Sequence, residues 1–532
     1  MVTMKSFSLP KSAAIVSTAL LSCSLSFGQN KPTEDDYYRM VNIPIPSDIT
    51  LEVGGLDWLD EKKTRLAVCT RRGELWVLDN VYAETPAVVG QQVEKVVEDG
   101  KKFKAEPTTD DLVGYKQMLF GMHEALGMVV NPPGYPDGIY MAQRGELTRC
   151  VDEDGDDRID LVEAFSSGWE ISGSYHEYAF GPKIGKDGML WVTLNRPFGG
   201  GQEAEAYWRG WAVKIDPKGE VHRVCLGLRS PAGLGTNSDQ EMFFTDNQGD
   251  HVPVCKLSHL KPGSFHGQTI SLNTVQDLPE AKAVFELPFQ DYPKRSILYG
   301  EAVPANPKLQ TAAVWFPYPG YGKSHTDIFT IDQKGKFGPF DGQLLVGDLS
   351  TAQVLRVVLE KIDGDYQGAV IKFRQRFVPP ALRMAWGKPG TLFVGGASRG
   401  WGGGARPYGL QRVEWTGKTP FEVREMRAKP DGFELTFTLP VDPKTAGDPK
   451  SYNMKSWTYN YHSGYGDKPR EEQELKVTSA KVGKDNKSVY LKIDGLRPYF
   501  LHELNLPGVK SAEGLPVLHP QAVYTLNKIP KS

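Results

Sequence analysis

The fold is indicated by the stretch Gly188-Met-Leu-Trp-Val-Thr193, in which a glycine turn leads into apolar residues spaced for a strand. A shorter apolar run, Tyr178-Ala-Phe-Gly-Pro182, precedes this stretch, and Gly210-Trp-Ala-Val-Lys-Ile215 follows it. The three segments predict a short strand, a turn, a second strand, a loop and a third strand. A unit of this size cannot bury both of its faces alone, so similar units are expected beside it.

The same pattern occurs six times within residues 40–420, at intervals of roughly forty to seventy residues. Packing such units around an axis covers both faces of every sheet and leaves few free edges. The repeat therefore predicts an all-β fold with a six-bladed β-propeller over residues 40–420. The other five units include the segments Gly54-Gly-Leu-Asp-Trp58, Leu126-Gly-Met-Val-Val130, Ala232-Gly-Leu-Gly235, Gly342-Gln-Leu-Leu-Val-Gly347 and Leu382-Arg-Met-Ala-Trp386.

The sequence pattern changes after Pro420. Residues 421–530 contain short alternating runs, such as Phe433-Glu-Leu-Thr-Phe-Thr438, separated by turns such as Lys429-Pro-Asp-Gly432. This pattern predicts an Ig-like β-sandwich that follows the propeller. Four aromatic or imidazole side chains lie close together within it, and they either pack inside a loop or bind a sugar: Tyr459, Tyr461, His462 and Tyr465.

The composition excludes one class of partner. The 532-residue chain has a formal net charge of −3, and its acidic and basic residues are interspersed. We expect no nucleic-acid partner, because no strongly basic region is present to neutralise phosphates.

Residues 1–28 are predicted to be an export signal. Lys5 and Lys11 precede an apolar stretch, residues 13–25, that is too short for a transmembrane helix, and a small-residue cleavage site follows. Processing at Cys23 with attachment of a lipid is the alternative, because Leu20-Leu-Ser-Cys23 resembles a lipoprotein site. Either route predicts an exported protein, periplasmic or secreted, without a transmembrane segment.

The four cysteines of the mature chain match no zinc-binding or haem-attachment spacing. They are expected to be structural thiols or to include one disulfide: Cys69, Cys150, Cys225 and Cys255.

An acidic loop follows one predicted strand. Its carboxylates fall at positions 1, 3, 5, 9 and 12 of a twelve-residue segment, close to the calcium loop of an EF-hand. Asp157 stands where the sharp turn of an EF-hand has glycine, and the preceding segment is strand-like. The loop is therefore interpreted as a structural calcium site, with a solvated acidic loop as the alternative. The predicted ligand set is Asp152, Asp154, Asp156, Arg158, Asp160 and Glu163, with Arg158 at the position that binds through its carbonyl.

Polar residues recur at equivalent points of the repeat, directly before the first strand or after the second strand. Because blades are related by rotation, such residues converge at one end of the central axis and suit a small anionic, oxygen-rich ligand. Taken singly, each is more simply a structural or surface residue. The residues are His176, Arg229, Arg144, Arg383, Arg399 and the run Asn247-Gln-Gly-Asp250.

These motifs resemble those of a secreted bacterial β-propeller family related to soluble quinoprotein glucose and sorbosone dehydrogenases. The resemblance rests on the segments Gly145–Arg149, Tyr175–Tyr178, Arg229–Gly233, Asn247–Asp250 and Ser398–Gly402. Many relatives carry an additional haem c domain, and this chain has no Cys-x-x-Cys-His motif. The resemblance therefore implies an external electron acceptor, such as a separate cytochrome c.

The resemblance also implies site roles. His176 would accept the proton of a substrate hydroxyl, and Arg229 and Arg383 would contact pyrroloquinoline quinone. Asn247, Gln248, Gly249 and Asp250 would support a calcium ion beside that cofactor, with Arg144 and Arg399 as further cofactor-binding residues. The chain departs from the quinoprotein pattern at Ser230, where asparagine is usual, and at Asp250, where proline is usual.

The leading hypothesis is an exported, quinone- and calcium-dependent dehydrogenase that oxidises a sugar or a related alcohol. Two alternatives stay open because fold alone does not select a reaction. One is a non-catalytic propeller that binds carbohydrate or acts as an adaptor. The other is a calcium-dependent, lactonase-like hydrolase.

Overall fold

The computed structural model describes residues 31–96, 100–198, 206–269, 275, 277–279, 281–282, 296–398 and 400–531. The proposed signal peptide, residues 1–28, the alternative lipid site Cys23 and the candidate residue Arg399 lie outside the described residues. The predictions made for them therefore stay predictions.

The all-β prediction is confirmed for the described part of the chain, where strands alternate with turns. The described residues include two short α-helices, Tyr299–Ala305 and Pro443–Ala446, and two single 3₁₀ turns, Glu34–Asp36 and Pro449–Ser451, while residues 279 and 281–282 are also helical.

The strands up to residue 420 are β1 (Tyr38–Ile43), β2 (Val53–Trp58), β3 (Arg65–Thr70), β4 (Glu74–Asp79), β5 (Val93–Val96), β6 (Lys102–Ala105), β7 (Gly114–Phe120), β8 (Met128–Val130), β9 (Ile139–Ala142), β10 (Leu147–Val151), β11 (Leu161–Ser166), β12 (Ala179–Ile184), β13 (Leu190–Leu194), β14 (Trp211–Ile215), β15 (Val221–Leu226), β16 (Pro231–Thr236), β17 (Met242–Asp246), β18 (Cys255–His259), β19 (Ile297–Leu298), β20 (Val314–Phe316), β21 (His325–Thr330), β22 (Leu344–Asp348), β23 (Gln353–Ile362), β24 (Asp365–Arg374), β25 (Arg383–Trp386), β26 (Thr391–Ala397) and β27 (Tyr408–Trp415). The later strands are β28 (Val423–Lys429), β29 (Gly432–Phe437), β30 (Asn453–Thr458), β31 (Asn460–Tyr461), β32 (Arg470–Val482), β33 (Ser488–Asp494), β34 (Phe500–Asn505) and β35 (Gln521–Leu526).

Five separate four-stranded antiparallel sheets account for most of the first group. Their strand orders are β2-β3-β4-β7, β8-β9-β10-β11, β12-β13-β14-β15, β16-β17-β18-β20 and β25-β26-β27-β1. The N-terminal strand β1 thus completes the last of these sheets by pairing with β27. This pairing joins the two ends of the repeat, so the set of sheets closes on itself.

A sixth set of four strands, β21 to β24, has the same antiparallel order but is part of an eleven-stranded sheet. Its outer strand β24 pairs with β35, so the C-terminal strands continue this sheet. The first strands of all six sets contact one another in a closed ring, in the order β2, β8, β12, β16, β21, β25 and back to β2. The arrangement is therefore propeller-like, although the predicted six separate blades are replaced by five separate sheets and one shared sheet.

Burial explains why the two halves of the sequence have different patterns. Every residue of β13, Leu190–Leu194, is buried, because neighbouring sheets cover both of its faces. In β33 buried residues alternate with exposed or half-buried ones, as expected where one face meets the core and the other meets water. Close packing at the axis leaves no room for a side chain at Gly233, where a Cβ atom would lie 1.8 Å from the carbonyl oxygen of Thr326.

The C-terminal strands enclose a core of their own, which includes Phe433, Leu491 and Tyr524. The long strand β32 pairs with β30 through its first half and with β33 through its second half. Strand β32 therefore connects the strands beside β30 with the strands beside β33. The Ig-like description and the division into domains at residue 420 stay predictions.

Two other expectations concern cysteines and membranes. The four cysteines among the described residues are buried free thiols, which agrees with the prediction of structural thiols and not with a disulfide. Among the described residues, none of the helices has the length and apolar character needed to cross a membrane.

Candidate functional site

A cavity of about 560 Å³ lies at the end of the ring where the first strand of each set begins and the second strand ends. His176, Arg229 and Lys323 come just before β12, β16 and β21, whereas Arg196 and Asn247 come just after β13 and β17. Rotation of equivalent loops about one axis is what brings these residues together.

His176 is buried in the wall of this cavity. Its Nδ1 atom lies 2.9 Å from the carbonyl oxygen of Arg196, so Nδ1 carries the proton and donates it. Its Nε2 atom lies 3.2 Å from Oγ of Ser230 and is the acceptor of that hydroxyl. The ring stacks on Phe198, with ring centroids 3.4 Å apart. Burial lowers the pKa of His176 to about 3, and the positive charges of Arg229 and Arg196 add to this effect.

Arg229 and Arg196 share one carboxylate. Nε of Arg229 and Nη2 of Arg196 lie 3.0 and 2.6 Å from the same oxygen, Oδ1 of Asp250, and the side-chain amide of Gln268 donates to the other oxygen. Burial opposes ionisation of Asp250, but the nearby His251 ring and the two guanidinium charges hold the pKa of this carboxyl well below its usual range. The group as a whole keeps one uncompensated positive charge beside the cavity.

The backbone of Gly249 forms the surface on which Arg229 rests. A Cβ atom at Gly249 would lie 1.8 Å from Nε of Arg229, so glycine is required for this close approach. The carbonyl of Asn247 lies 3.4 Å from Nη1 of Arg229, and Gln248 donates to the carbonyl of Pro253. The turn of residues 247–250 thus positions Arg229.

Two of the predicted cofactor-binding arginines hold loops or strands instead of lining the cavity. Arg144 pairs with Glu124 and donates to the carbonyl of Ser174, so it positions the loop that carries His176. Arg383 lies inside the ring, where it donates to the carbonyls of Gly54, Leu126 and Ala232 from three different sets of strands. The structure therefore gives both residues a positioning role.

The acidic loop lies between β10 and β11, and the cavity lining does not include its residues. Carboxylate oxygens of Asp152, Asp154 and Asp156 lie within 4.8 Å of one another. The two other predicted carboxylates, Asp160 and Glu163, are not part of this group. Glu163 pairs with Arg149 at 2.7 Å, and the Asp160 carboxylate accepts from a backbone amide in the same loop.

Several cavity residues were not anticipated from the sequence. Arg196 and Phe198 follow β13 at the same point of the repeat where the run 247–250 follows β17, so equivalence within the repeat was an available signal. Tyr465, one of the four clustered residues for which the sequence leaves sugar binding open, lines the cavity from the loop between β31 and β32. No local pattern indicates that contact, because it joins residues far apart in the sequence.

The turn of residues 247–250 does not fit a calcium ion. The Asp250 carboxylate is engaged by two guanidinium groups and an amide, and the carbonyl oxygen of Gly249 accepts a hydrogen bond from the amide of Gly466 at 3.0 Å. A cation placed there would meet two positive charges at close range. The same two arginines fit an anionic planar ligand such as a quinone that bears carboxylates.

Comparisons with known proteins yield no matching family model and no matching curated protein. Among solved structures, the PQQ-bound form of aldose sugar dehydrogenase from Streptomyces coelicolor has a TM-score of 0.43 and 13% identity, covering 73% of this chain and 100% of that one. The holo PQQ domain of pyranose dehydrogenase from Coprinopsis cinerea has a TM-score of 0.42 and 10% identity, covering 71% and 97%. A gluconolactonase from Xanthomonas campestris has a TM-score of 0.36 and 14% identity, covering 71% and 89%. Similarity at this level does not assign a reaction to the chain.

Proposed function

We propose that the protein oxidises a hydroxyl group of a sugar or related alcohol, with a carboxylated quinone as cofactor in the cavity. The observation that carries this proposal is the placement of a neutral imidazole, His176, beside two guanidinium groups on one cavity wall. A proton acceptor and an anion-binding pair are the two protein functions that such an oxidation needs. The cavity volume of about 560 Å³ falls within the range that holds small-molecule ligands.

The chain's own residues divide the work as follows. Arg196 and Arg229, whose guanidinium groups lie over the ring of Phe198, would hold the carboxylates of the cofactor. The proton of the substrate hydroxyl goes to Nε2 of His176, while the hydrogen on the adjacent carbon leaves as hydride, so the product is a carbonyl compound. When bound, the quinone supplies the acceptor for the two electrons of that hydride.

The low pKa of His176 connects binding with proton transfer. An imidazole whose pKa is held near 3 by burial and neighbouring guanidinium groups is neutral at physiological pH, but its conjugate acid is unfavourable. Carboxylates bound to Arg196 and Arg229 offset those positive charges. The pKa of His176 therefore rises when an anionic cofactor occupies the cavity, which makes it a better proton acceptor in the complex than in the free protein.

A second candidate is hydrolysis of a lactone. It is favoured by one contact, the 3.2 Å separation between Oγ of Ser230 and Nε2 of His176. A serine hydroxyl next to a neutral imidazole, whose other nitrogen is oriented by a carbonyl, is the arrangement of an activated nucleophile. Ser230→Ala removes this reaction and leaves an oxidation that depends only on His176, so the variant separates the two candidates.

The proposal also includes calcium, export and an external electron acceptor, and each concerns a part of the protein or a partner other than the cavity. We assign calcium to the loop with Asp152, Asp154 and Asp156, where three carboxylates offer oxygen ligands to a hard cation. Export follows from residues 1–28. An external acceptor, such as a separate cytochrome c, would reoxidise the cofactor.

The test is a titration of the chelator-treated mature protein with pyrroloquinoline quinone, with and without calcium. Absorbance reports binding, and reduction of an artificial dye in the presence of a panel of sugars reports turnover. We expect saturable binding that does not require calcium, followed by sugar-dependent dye reduction. Lack of quinone binding would contradict the dehydrogenase and leave the lactone hydrolase and the carbohydrate-binding alternative. Binding that requires calcium would contradict the assignment of the turn at 247–250.

A further inference from the structure

The loop between β31 and β32, residues 462–469, crosses from the C-terminal strands to the cavity. The amide of His251 donates to the carbonyl of His462 at 2.9 Å, and the amide of Gly466 donates to the carbonyl of Gly249 at 3.0 Å. The amide of Asp467 donates to the carbonyl of Pro253 at 2.9 Å. Three backbone hydrogen bonds therefore attach this loop to the turn that positions Arg229 and to the residues that directly follow that turn.

Further contacts fix the base of the loop. The hydroxyl of Tyr461, which is fully buried, donates to the carbonyl of Gly267. The Asp467 carboxylate accepts from the amide of Asn460 and pairs with Arg470. The aromatic cluster noted in the sequence is thus divided, since Tyr459 and Tyr461 pack within the fold whereas Tyr465 does not.

Tyr465 is the exposed aromatic residue of this loop. Its side chain is 71% exposed, yet it lines the cavity, and its ring centroid lies 5.4 Å from the guanidinium carbon of Arg229. Two other exposed aromatic residues line the same cavity, Tyr175 (54%) and Trp401 (73%). Exposed aromatic residues also occur singly on the surface, but three of them gathered around one cavity form an apolar surface that indicates a ligand.

We propose that Tyr465 is the specificity-determining wall of the substrate site and that it selects a cyclic sugar. The aliphatic face of a pyranose ring packs against an aromatic ring, while its edge carries hydroxyl groups that bind paired donors and acceptors. Gln248, which lies against Gly466, and Asn247 line the same cavity, and their side-chain amides offer such donors and acceptors beside Tyr465. An open-chain polyol has the same hydroxyl groups but lacks the rigid apolar face. The inference rests on the proposed function for the fate of the sugar, but sugar binding itself does not require that function.

This assignment gives the C-terminal strands a part in recognition. The turn at 247–250 holds Arg229, and the loop at 462–469 holds that turn while it adds Tyr465. The substrate site is therefore composed of residues from both halves of the chain.

The experiment measures binding by titration calorimetry on the full mature chain without quinone, using glucose, cellobiose and the open-chain polyol sorbitol as probes. We expect the cyclic sugars to bind and sorbitol to bind more weakly. Tyr465→Ala should weaken cyclic-sugar binding by about tenfold, whereas Tyr465→Phe, which keeps the ring, should change it less than about threefold. Phe120→Ala is the matched control, because Phe120 is 76% exposed and is not part of the cavity lining.

Unchanged sugar affinity in Tyr465→Ala, or equal affinity for glucose and sorbitol in the unmodified protein, would overturn the inference. Quinone affinity is measured on the same variants. Loss of quinone binding with unchanged sugar binding would also overturn it, because Tyr465 would then act only through Arg229. Sugar binding that depends on Tyr465 without any dye reduction would support the inference while it contradicts the proposed oxidation.

Discussion

Two buried histidines of this protein differ in charge: His176 is neutral and His519 is a cation. The first belongs to the candidate site, whereas the second stabilises the fold. His176 lies beside two guanidinium groups and its pKa is lowered by burial to about 3. His519 lies between two carboxylates, with Nδ1 2.5 Å from Glu422 and Nε2 3.0 Å from Glu34, and these groups outweigh burial and raise its pKa to about 9. At neutral pH the first imidazole is uncharged at a cavity wall, whereas the second is a cation inside the protein.

The surroundings of His519 show that it connects separate parts of the fold. Glu34 belongs to the N-terminal 3₁₀ turn and also pairs with Arg374 at the end of β24, at 2.7 Å. Glu422 precedes β28, and His519 precedes β35. A buried charge network thus links the start of the described chain, the shared sheet and the C-terminal strands. Every charge in it has a partner, as a buried ion network requires.

The largest effect is expected on turnover when His176 is substituted. His176→Gln should reduce sugar-dependent dye reduction by about a hundred- to ten-thousandfold, because a proton acceptor is removed. Stability should change little, because the histidine it replaces is neutral. His123→Gln is the control, since His123 is exposed and precedes β8 as His176 precedes β12. Turnover retained in His176→Gln would exclude His176 from the mechanism.

Substitution of His519 should lower the stability of the protein and leave its activity unchanged. His519→Gln leaves Glu34 and Glu422 without the cation between them, so we expect a loss of about 3–5 kcal/mol in the free energy of unfolding. Activity per folded molecule should stay unchanged. His222→Gln is the matched control, because His222 pairs with Asp216 in an exposed position and should cost less than about 1 kcal/mol. Chemical denaturation of both variants decides, and equal stability would contradict the buried network.

The pH dependence sharpens the same comparison. The folded pKa of His519 is about 9, above its ordinary value of 6.5, so its contribution is fully present below pH 6.5 and is lost as the pH rises through 9. The folded pKa of His176 is about 3, so the unfolded chain takes up the proton first and stability falls as the pH drops from 6.5 towards 3. Melting curves should therefore show a maximum near neutrality. His519→Gln should flatten the alkaline side only, and an unchanged alkaline slope would contradict the assigned charge state.

A smaller effect is expected from the support of Arg229. Gly249→Ala places a methyl group where Arg229 rests, so the guanidinium must move away from Asp250. We expect kcat/KM to fall by about ten- to a hundredfold, as displacements of this kind do in other sites. Gly145→Ala is the control, because a Cβ atom there meets nothing within 4 Å. Equal effects of the two substitutions would contradict the supporting role of Gly249.

The contrast between the two histidines also shows what the sequence can predict. Strand-turn-strand repetition indicated the sheets, since a period of two and glycine-bounded turns are local properties of the chain. Rotation of the repeat explains why His176 and Arg229, each placed before a first strand, lie on one cavity. The charge partners were not predictable in this way. Glu34 and His519, or Asp250 and Tyr465, are joined only by long-range packing, and that packing also merges the sixth set of strands with the C-terminal sheet.

The smallest change in stability is expected for the acidic loop, because its carboxylates are exposed whereas His176 and His519 are buried. Asp157 in this loop pairs with Arg65 at 2.6 Å, but Asp152, Asp154 and Asp156 face one another and repel. If calcium offsets that repulsion, a chelator should lower Tm by a few degrees at most, a shift of about 1 kcal/mol or less, and added calcium should restore it. Asp154→Asn combined with Asp156→Asn should remove the response to chelator and leave turnover unchanged. A response to chelator that survives in this double variant would place the calcium elsewhere in the molecule. The exposed acidic loop would then be a solvated turn without a bound ion.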